Sequence, residues 1–165
     1  MKKLFNKAFL SLGTNLGNKT ENINNAIKEL GSFLTIKKIS KTYETPPWGF
    51  EDQDSFYNIC LEVETGFSAS DLLHKVKQAE VTLGRIPTFN WGPRLIDIDI
   101  IFFNSDIINN DNLKIPHPFM HERAFVLVPL CDLIPDFIHP VLNKKIIDLK
   151  DKTKTDNIII ITNEI

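Results

Sequence analysis

Two aspartates define the chemistry open to this sequence. Asp97 and Asp99 alternate with Ile96, Ile98 and Ile100, and the run continues through Ile101, Phe102 and Phe103. Alternation with a period of two marks a β-strand, whose successive side chains point to opposite faces. The two carboxylates therefore share a face, about 7 Å apart along the backbone at roughly 3.3 Å per residue. They repel each other unless water surrounds them or a cation lies between them, and in so apolar a strand a divalent metal is the economical partner. Hard oxygen ligands suit Mg²⁺, which takes one or two carboxylates and leaves its other positions to water and substrate phosphates. Such a pair can also hold two ions that clamp both sides of a displacement at phosphorus. A solvated pair with no ligand is the plainer alternative.

The neighbouring residues add to this. Arg94 stands three residues before Asp97, and Arg85 stands at the end of the preceding helical pattern, so two guanidiniums flank one loop. A guanidinium binds phosphate oxygens as a two-pronged fork and stays charged at any relevant pH. Trp91 offers a flat face for a heterocycle. His117 lies in the stiff run Pro116-His117-Pro118, and Arg123 closely follows it as a possible third phosphate contact. Glu80, one turn before Arg85, reads on spacing alone as a solvated helix residue. No G-x-x-x-x-G-K-S/T or G-x-G-x-x-G sequence is present, so any nucleotide is held without a glycine-rich cradle.

The elements that must position these groups follow from periodicity. Ala8–Leu12 reads as a buried strand that ends at a turn through Gly13, Asn15 and Gly17. Ile23, Ala26, Ile27 and Leu30 form one helix face, with a stop at Gly31. Residues 34–44 read as one edge-like strand, and Thr45-Pro46-Pro47 breaks it because prolines supply no ladder donor. Phe56–Thr65 is the next strand. Ser68 caps a helix with Leu72, Leu73, Val76, Ala79 and Leu83 on its apolar stripe, ended by Gly84. The aspartate strand is expected to be central. A helix over about 120–133 is interrupted by Pro129, and Ile158–Ile161 reads as a last strand.

The order β-α-β-β-α-β with a helical C-terminal extension indicates an α+β, ferredoxin-like fold, an antiparallel sheet with helices packed on its faces. At 165 residues the chain is expected to be a single domain, with its core at about 7–150 and a tail at 151–165. Net charge is −2, which argues against a general polyanion binder, so no nucleic-acid partner is expected. The two cysteines, Cys60 and Cys131, sit in apolar surroundings and are expected as buried free thiols. No apolar run is long enough to span a membrane or serve as a signal peptide, so a cytoplasmic, monomeric protein is expected.

Taken together, these segments resemble the 6-hydroxymethyl-7,8-dihydropterin pyrophosphokinase family. The resemblance rests on Trp91-Gly92-Pro93-Arg94-x-x-Asp97-x-Asp99-Ile100, on Pro116-His117-Pro118-x-Met120-x-x-Arg123-x-Phe125-Val126-Leu127-x-Pro129-Leu130, and on Leu12-Gly13-Thr14-Asn15-Leu16-Gly17. Tyr43-x-Thr45-Pro46-Pro47-x-Gly49 and Phe56-x-Asn58 follow in the same order, so the match covers roughly 8–150. It implies transfer of pyrophosphate from ATP to the hydroxymethyl group of the pterin, with ATP as co-substrate and two Mg²⁺ ions held by Asp97 and Asp99. Arg85 and Arg94 would act with these aspartates on the phosphates. Lys77, Glu80, Trp91, Ile100, His117, Pro118 and Arg123 fall at nucleotide positions. Thr45, Pro46, Trp48, Phe56, Asn58, Trp91, Asp97 and Phe125 fall around the pterin.

The sequence departs from the family pattern at the lid loop 86–90, where Asn90 replaces a common arginine. It also departs at Phe119, where an arginine often follows the His-Pro pair, and at Lys77, where a glutamine can contact adenine. These changes imply weaker ATP binding. The competing readings are a nucleotide- or RNA-binding ferredoxin-like module, or another Mg²⁺-dependent Asp-x-Asp transferase. The first lacks a basic excess, and the Thr-Pro-Pro, Phe-x-Asn and Pro-His-Pro segments argue against the second.

Overall fold

The structure is a computed structural model and describes residues 4–86 and 89–161. Strand β1 (Asn6–Thr14) leads through a turn into helix α1 (Lys19–Gly31). Asn18 starts that helix, its Oδ1 accepting from the Glu21 amide at 3.0 Å, as a side-chain cap must when the first amides have no partner. The next two strands are β2 (Thr35–Ile39) and β3 (Thr42–Thr45), where one strand was expected. The break comes at Ser40. Its Oγ accepts from the Cys60 amide at 2.8 Å, while its own amide donates to the Cys60 carbonyl, so a side chain fills a ladder position and lets the strand bend.

Strand β4 (Phe56–Thr65) precedes helix α2 (Ala69–Thr82), which Ser68 caps by accepting from the Asp71 amide at 3.1 Å. Gly84 then turns at φ +96°, a conformation that costs glycine little. After the loop comes β5 (Asp97–Phe103), followed by the small hairpin β6 (Ile108–Asn109) and β7 (Lys114–Ile115). The expected helix over 120–133 is two pieces: a 3₁₀ turn at Met120–Glu122 and helix α3 (Ala124–Cys131), separated by Arg123 in an extended conformation. Pro129 sits inside α3, one turn from its end, where little ladder is left to disrupt. Helix α4 (Ile146–Asp151) and strand β8 (Ile159–Ile161) complete the chain, so the C-terminal third is less helical than expected.

The antiparallel sheet runs β5-β1-β4-β3-β8, with β2 paired beside β3 along β4. This is the ferredoxin-like order, extended by β8. The aspartate strand β5 is thus at the sheet edge, a correction to the expected central place.

Alternation along β1 divides the core. Ala8, Leu10 and Leu12 pack with Ile23, Ala26 and Leu30 of α1 and with Leu72 and Val76 of α2. Phe9 points the other way, toward Leu127 and Leu130 of α3 and Ile146 of α4. Burying each such side chain stabilises the fold by about 1.5–3 kcal/mol. A bulge at Ile101 shifts the β1–β5 register, with Phe9 opposite Phe102 but Leu10 opposite Ile100. Ile101 and Phe102 consequently both enter the α3–α4 layer. Both cysteines are free, Cys60 buried as expected but Cys131 only half-buried.

Candidate active site

The α3–α4 layer covers only part of its sheet face, and the candidate site occupies the rest. Asp97 and Asp99 lie on this face, half-exposed, while Ile98 and Ile100 are buried behind them. The β-ladder places Gly13 between Asp97 and Asn58, and Ser11 opposite Asp99. Asn58 is buried and donates to Thr45 Oγ1 at 2.6 Å. A Cβ on Gly13 would come within 2.8 Å of Asn58 Oδ1, so a glycine is what leaves room for that amide. Three strands thus bring Asp97, Gly13 and Asn58 into one lateral row, and the Asn58 side chain reaches diagonally to Thr45, since Tyr43 is the β3 residue opposite it. Neither Ser11 nor Gly13 was singled out as a site residue, since only the register across β1 shows their place.

An aromatic slot closes over this row. Phe56 comes from β4, Phe125 from the first turn of α3, and Trp48 and Trp91 from the two loops at the mouth. The tryptophan rings meet edge to face at 5.4 Å, as do Phe50 and Phe89 at 4.9 Å. The Arg123 guanidinium lies 4.8 Å from the Trp48 ring centroid, within cation–π range. Gly49, at φ +89°, sits so close beneath Trp91 that a Cβ would come within 2.9 Å of the ring. The remaining cavity is about 70 Å³, well below the roughly 300–1,000 Å³ of an open small-molecule site. The mouth is therefore drawn shut.

Gln53 holds it. Its Nε2 donates to the carbonyls of Phe50 and Trp91, each at 2.6 Å, and its Oε1 accepts from Asn15 Nδ2 at 2.8 Å. Asn15 in turn accepts from the Arg94 amide at 2.8 Å, and its own amide donates to the Arg94 carbonyl at 3.0 Å. Three loops meet at these two amide side chains. Pro87 and Thr88 of the lid loop lie outside the described residues.

The arginines gather around Asp97. Arg94 Nη1 donates to Asp97 Oδ2 at 2.9 Å, and Arg85 Nη2 lies 3.6 Å from Asp97 Oδ1. Arg85 is held in turn by Glu80 Oε1 at 3.0 Å. Glu80 is the clearest departure from the sequence reading, being 2% exposed. Its Oε2 accepts from the Ile98 amide at 2.6 Å and from Lys77 Nζ at 3.2 Å. One carboxylate thus pins α2 to β5 and aims a guanidinium at Asp97. Among the described residues, the buried side-chain nitrogens and oxygens without a hydrogen-bond partner are the Nε atoms of Arg85, Arg94 and Arg123. Buried donors are rarely left so. Three together indicate a place for an anion.

A second hollow opens on the other side of Asp99, bordered by Lys77, Ile98, Ile100, His117 and Pro118, together with Asp111–Lys114 of the small hairpin. Lys77 Nζ donates to the Ile98 carbonyl at 2.9 Å and lies 3.8 Å from Asp99 Oδ1. Of the nucleotide positions implied by resemblance, Lys77, Ile100, His117 and Pro118 meet in this hollow. Arg123 and Trp91 border the aromatic slot, and Glu80 lies beneath the sheet-facing side of α2. All the implied pterin positions meet in the slot. None of the hairpin residues 111–114 was singled out as a site residue, because nothing local marks them as lining a pocket.

Two titrations are displaced here. Burial, and then the charge of Asp97, push the Asp99 carboxyl up to about 6. Burial, and then Arg123, push His117 down to about 4, so its imidazole is neutral at ordinary pH. His117 Nδ1 accepts from the Phe119 amide at 3.3 Å, which leaves the proton on Nε2 as a donor. The metal implied by resemblance fits the donor set. Asp97 and Asp99 are hard ligands with mutual repulsion for a cation to relieve. Mg²⁺ takes one or two carboxylates and completes its shell with water and phosphates.

The sequence model of the 7,8-dihydro-6-hydroxymethylpterin-pyrophosphokinase family matches residues 9–135. A 2-amino-4-hydroxy-6-hydroxymethyldihydropteridine pyrophosphokinase of Aquifex aeolicus is 42% identical over 142 residues, covering 86% of this chain and 89% of the relative. A folic acid synthesis protein of Dictyostelium discoideum is 49% identical over 138 residues, covering 84% of this chain but 21% of the relative, so the chain spans about a fifth of that protein. The solved HPPK-DHPS of Plasmodium falciparum with pteroate superposes with a TM-score of 0.76 at 22% identity. That match covers 92% of this chain and 43% of the other, and it supports the fold.

Proposed function

The chain belongs to the 7,8-dihydro-6-hydroxymethylpterin-pyrophosphokinase family, and on that premise we propose that it transfers pyrophosphate from ATP to the hydroxymethyl oxygen of 6-hydroxymethyl-7,8-dihydropterin. The products are AMP and the pterin diphosphate, a step of folate biosynthesis. One observation carries the reading. The Asp97–Asp99 strand end stands between an aromatic slot and a second hollow, beside three arginines with buried, unpaired Nε–H groups. Such a layout supports a reading with a flat ring on one side, a nucleotide on the other and phosphates between them.

In this reading the pterin lies between Phe56 and Phe125 beneath the tryptophan lid, and Asn58, oriented by Thr45, meets its polar edge. The nucleoside occupies the hollow at Ile100, His117 and Pro118, where the neutral imidazole donates through Nε2. Transfer at phosphorus depends mainly on in-line placement and neutralisation of charge. Arg85, Arg94 and Arg123 supply fixed positive charge as the bond from the β-phosphorus to the AMP oxygen breaks. Asp97, beside the pterin side of the slot, is placed to accept the hydroxyl proton. Magnesium, as two ions by resemblance, would bind at Asp97 and Asp99 and supply further neutralisation of the phosphates. The reading takes the chain as a monomeric, single-domain enzyme with 151–165 as a tail.

The test is incubation of the purified chain with Mg-ATP and the hydroxymethyl dihydropterin while nucleotide products are followed. AMP formed in step with pterin consumption is expected. Release of ADP, or turnover independent of pterin, overturns the reading.

A further inference from the structure

A larger pocket of about 760 Å³ lies behind the wall of the pterin slot and plays no part in the mechanism above. Thr45, Pro46, Trp48 and Phe125 line both spaces, so they form a partition between the two. Beyond the partition the apolar surface continues with Leu142, Leu149 and Ile158. Its rim carries Lys144, Lys152 and Lys154, against the carboxylates of Glu122 and Asp156.

The rim lysines differ from their neighbours. Lys145 pairs with Asp136 at 3.8 Å and Lys150 with Asp151 at 3.7 Å. Among the described residues no carboxylate lies within ion-pair distance of Lys144, Lys152 or Lys154. Lys144 and Lys152 instead border the same pocket, and Lys152 lowers the Lys144 pKa while the charge of Asp148 acts to raise it. Two neighbouring ammonium groups repel unless water surrounds them or an anion lies between them. An apolar floor beside such a pair is suited to a ligand with a flat body and a charged end, and the volume is that of ordinary small-molecule sites.

We propose that this pocket is a second ligand site, which takes a flat aromatic anion carrying two or more negative charges. The ring would lie along Pro46, Leu142 and Leu149, and the anionic groups would lie between Lys144 and Lys152. Trp48 forms part of the partition, so an occupant alters the surroundings of one of the chain's two tryptophans. The site is independent of the pyrophosphoryl transfer and stands whether or not that activity is found.

The probe is pyranine, a flat pyrene trisulfonate, titrated into the intact chain while its fluorescence anisotropy and the protein's tryptophan emission are followed. One saturable site is expected. Charge reversal in the double variant Lys144→Glu with Lys152→Glu should weaken binding at least tenfold; both side chains are exposed, so the fold should be retained. Arg94→Ala, at the phosphate region of the other site, should change the affinity less than twofold. Unchanged binding in the lysine variant, or loss in the arginine variant, overturns the proposal.

Discussion

At the scale of single residues, Asp97 is contacted by two guanidiniums and Asp99 by one ammonium. These contacts predict different responses to substitution. Replacing Arg94 by alanine should lower kcat about 10²–10³-fold, the loss typical of one placed donor to developing charge. Arg94→Lys should restore only part of it, because an ammonium keeps the charge but lacks the fork. Steady-state kinetics with Mg-ATP checks both variants. Asp99 makes a prediction for stability. Its carboxyl pKa is raised in the fold, so the native state holds the proton more tightly than the unfolded chain. The metal-free protein should therefore lose stability as pH rises from about 4 through about 6. Metal-free Asp99→Asn should melt above the parent at pH 7, by roughly 2–4 °C for each kcal/mol of repulsion removed, and the difference should vanish below about pH 4. His117 acts in the opposite sense: its lowered pKa costs stability as pH falls from about 6.5 through about 4. The two slopes overlap, so the comparison with Asp99→Asn is the informative one. Equal melting of parent and Asp99→Asn at pH 7 would show that the carboxylates do not strain each other.

At the scale of elements, the strands place the chemistry and the loops close it. Gln53 ties three loops with three short hydrogen bonds, two of them at 2.6 Å. Net contributions of about 1 kcal/mol per bond predict that Gln53→Leu lowers kcat/KM for the pterin by about 10–100-fold. Loss of three such bonds also predicts a fall in melting temperature of roughly 2–10 °C. A lowered melting temperature with kcat/KM unchanged would instead assign Gln53 a structural role. Much at this scale was legible in the sequence: the Ser68 cap, the apolar faces of α1 and α2, and the shared face of Asp97 and Asp99 follow from local patterning. Three features were not. The Ser40 break depends on a contact with Cys60, which is distant in sequence. The burial of Glu80 depends on the amide of Ile98 across a packing interface, where helical spacing alone indicated solvent. The pause at Arg123 follows from the docking of its side chain against Trp48 and Phe125, beyond the reach of helix propensity.

At the scale of the whole molecule, the sheet separates two kinds of support. The α1–α2 layer is a continuous apolar core, whereas the α3–α4 layer stops short and leaves the end of the sheet for ligands. The order of elements gave this fold class from sequence, but the edge position of β5 emerges only from the register against β1. The tail is an addition to the plan. Among the described residues strand β8 pairs only with β3, and Ile159 and Ile160 are about half exposed. Removing residues 156–165 should cost about 1–2 kcal/mol, a fall in melting temperature of roughly 2–8 °C, with kcat retained because none of the described residues 156–161 lines the slot. Calorimetry and the AMP assay on the truncated chain check this; complete unfolding would mean that the tail is integral to the sheet.

The bulge in β5 also bears on how this strand tolerates change in length. Ile101 is the extra residue in the register, and its carbonyl accepts from the His117 amide at 3.0 Å, fastening the Pro-His-Pro segment to the sheet edge. Deleting Ile101 would preserve the parity of the strand, because Asp97, Asp99, Phe102 and Phe103 would keep the faces they now occupy. What would be lost is the anchor for the histidine. A one-residue deletion here would read as conservative by hydrophobic pattern and yet release the nucleotide side of the site.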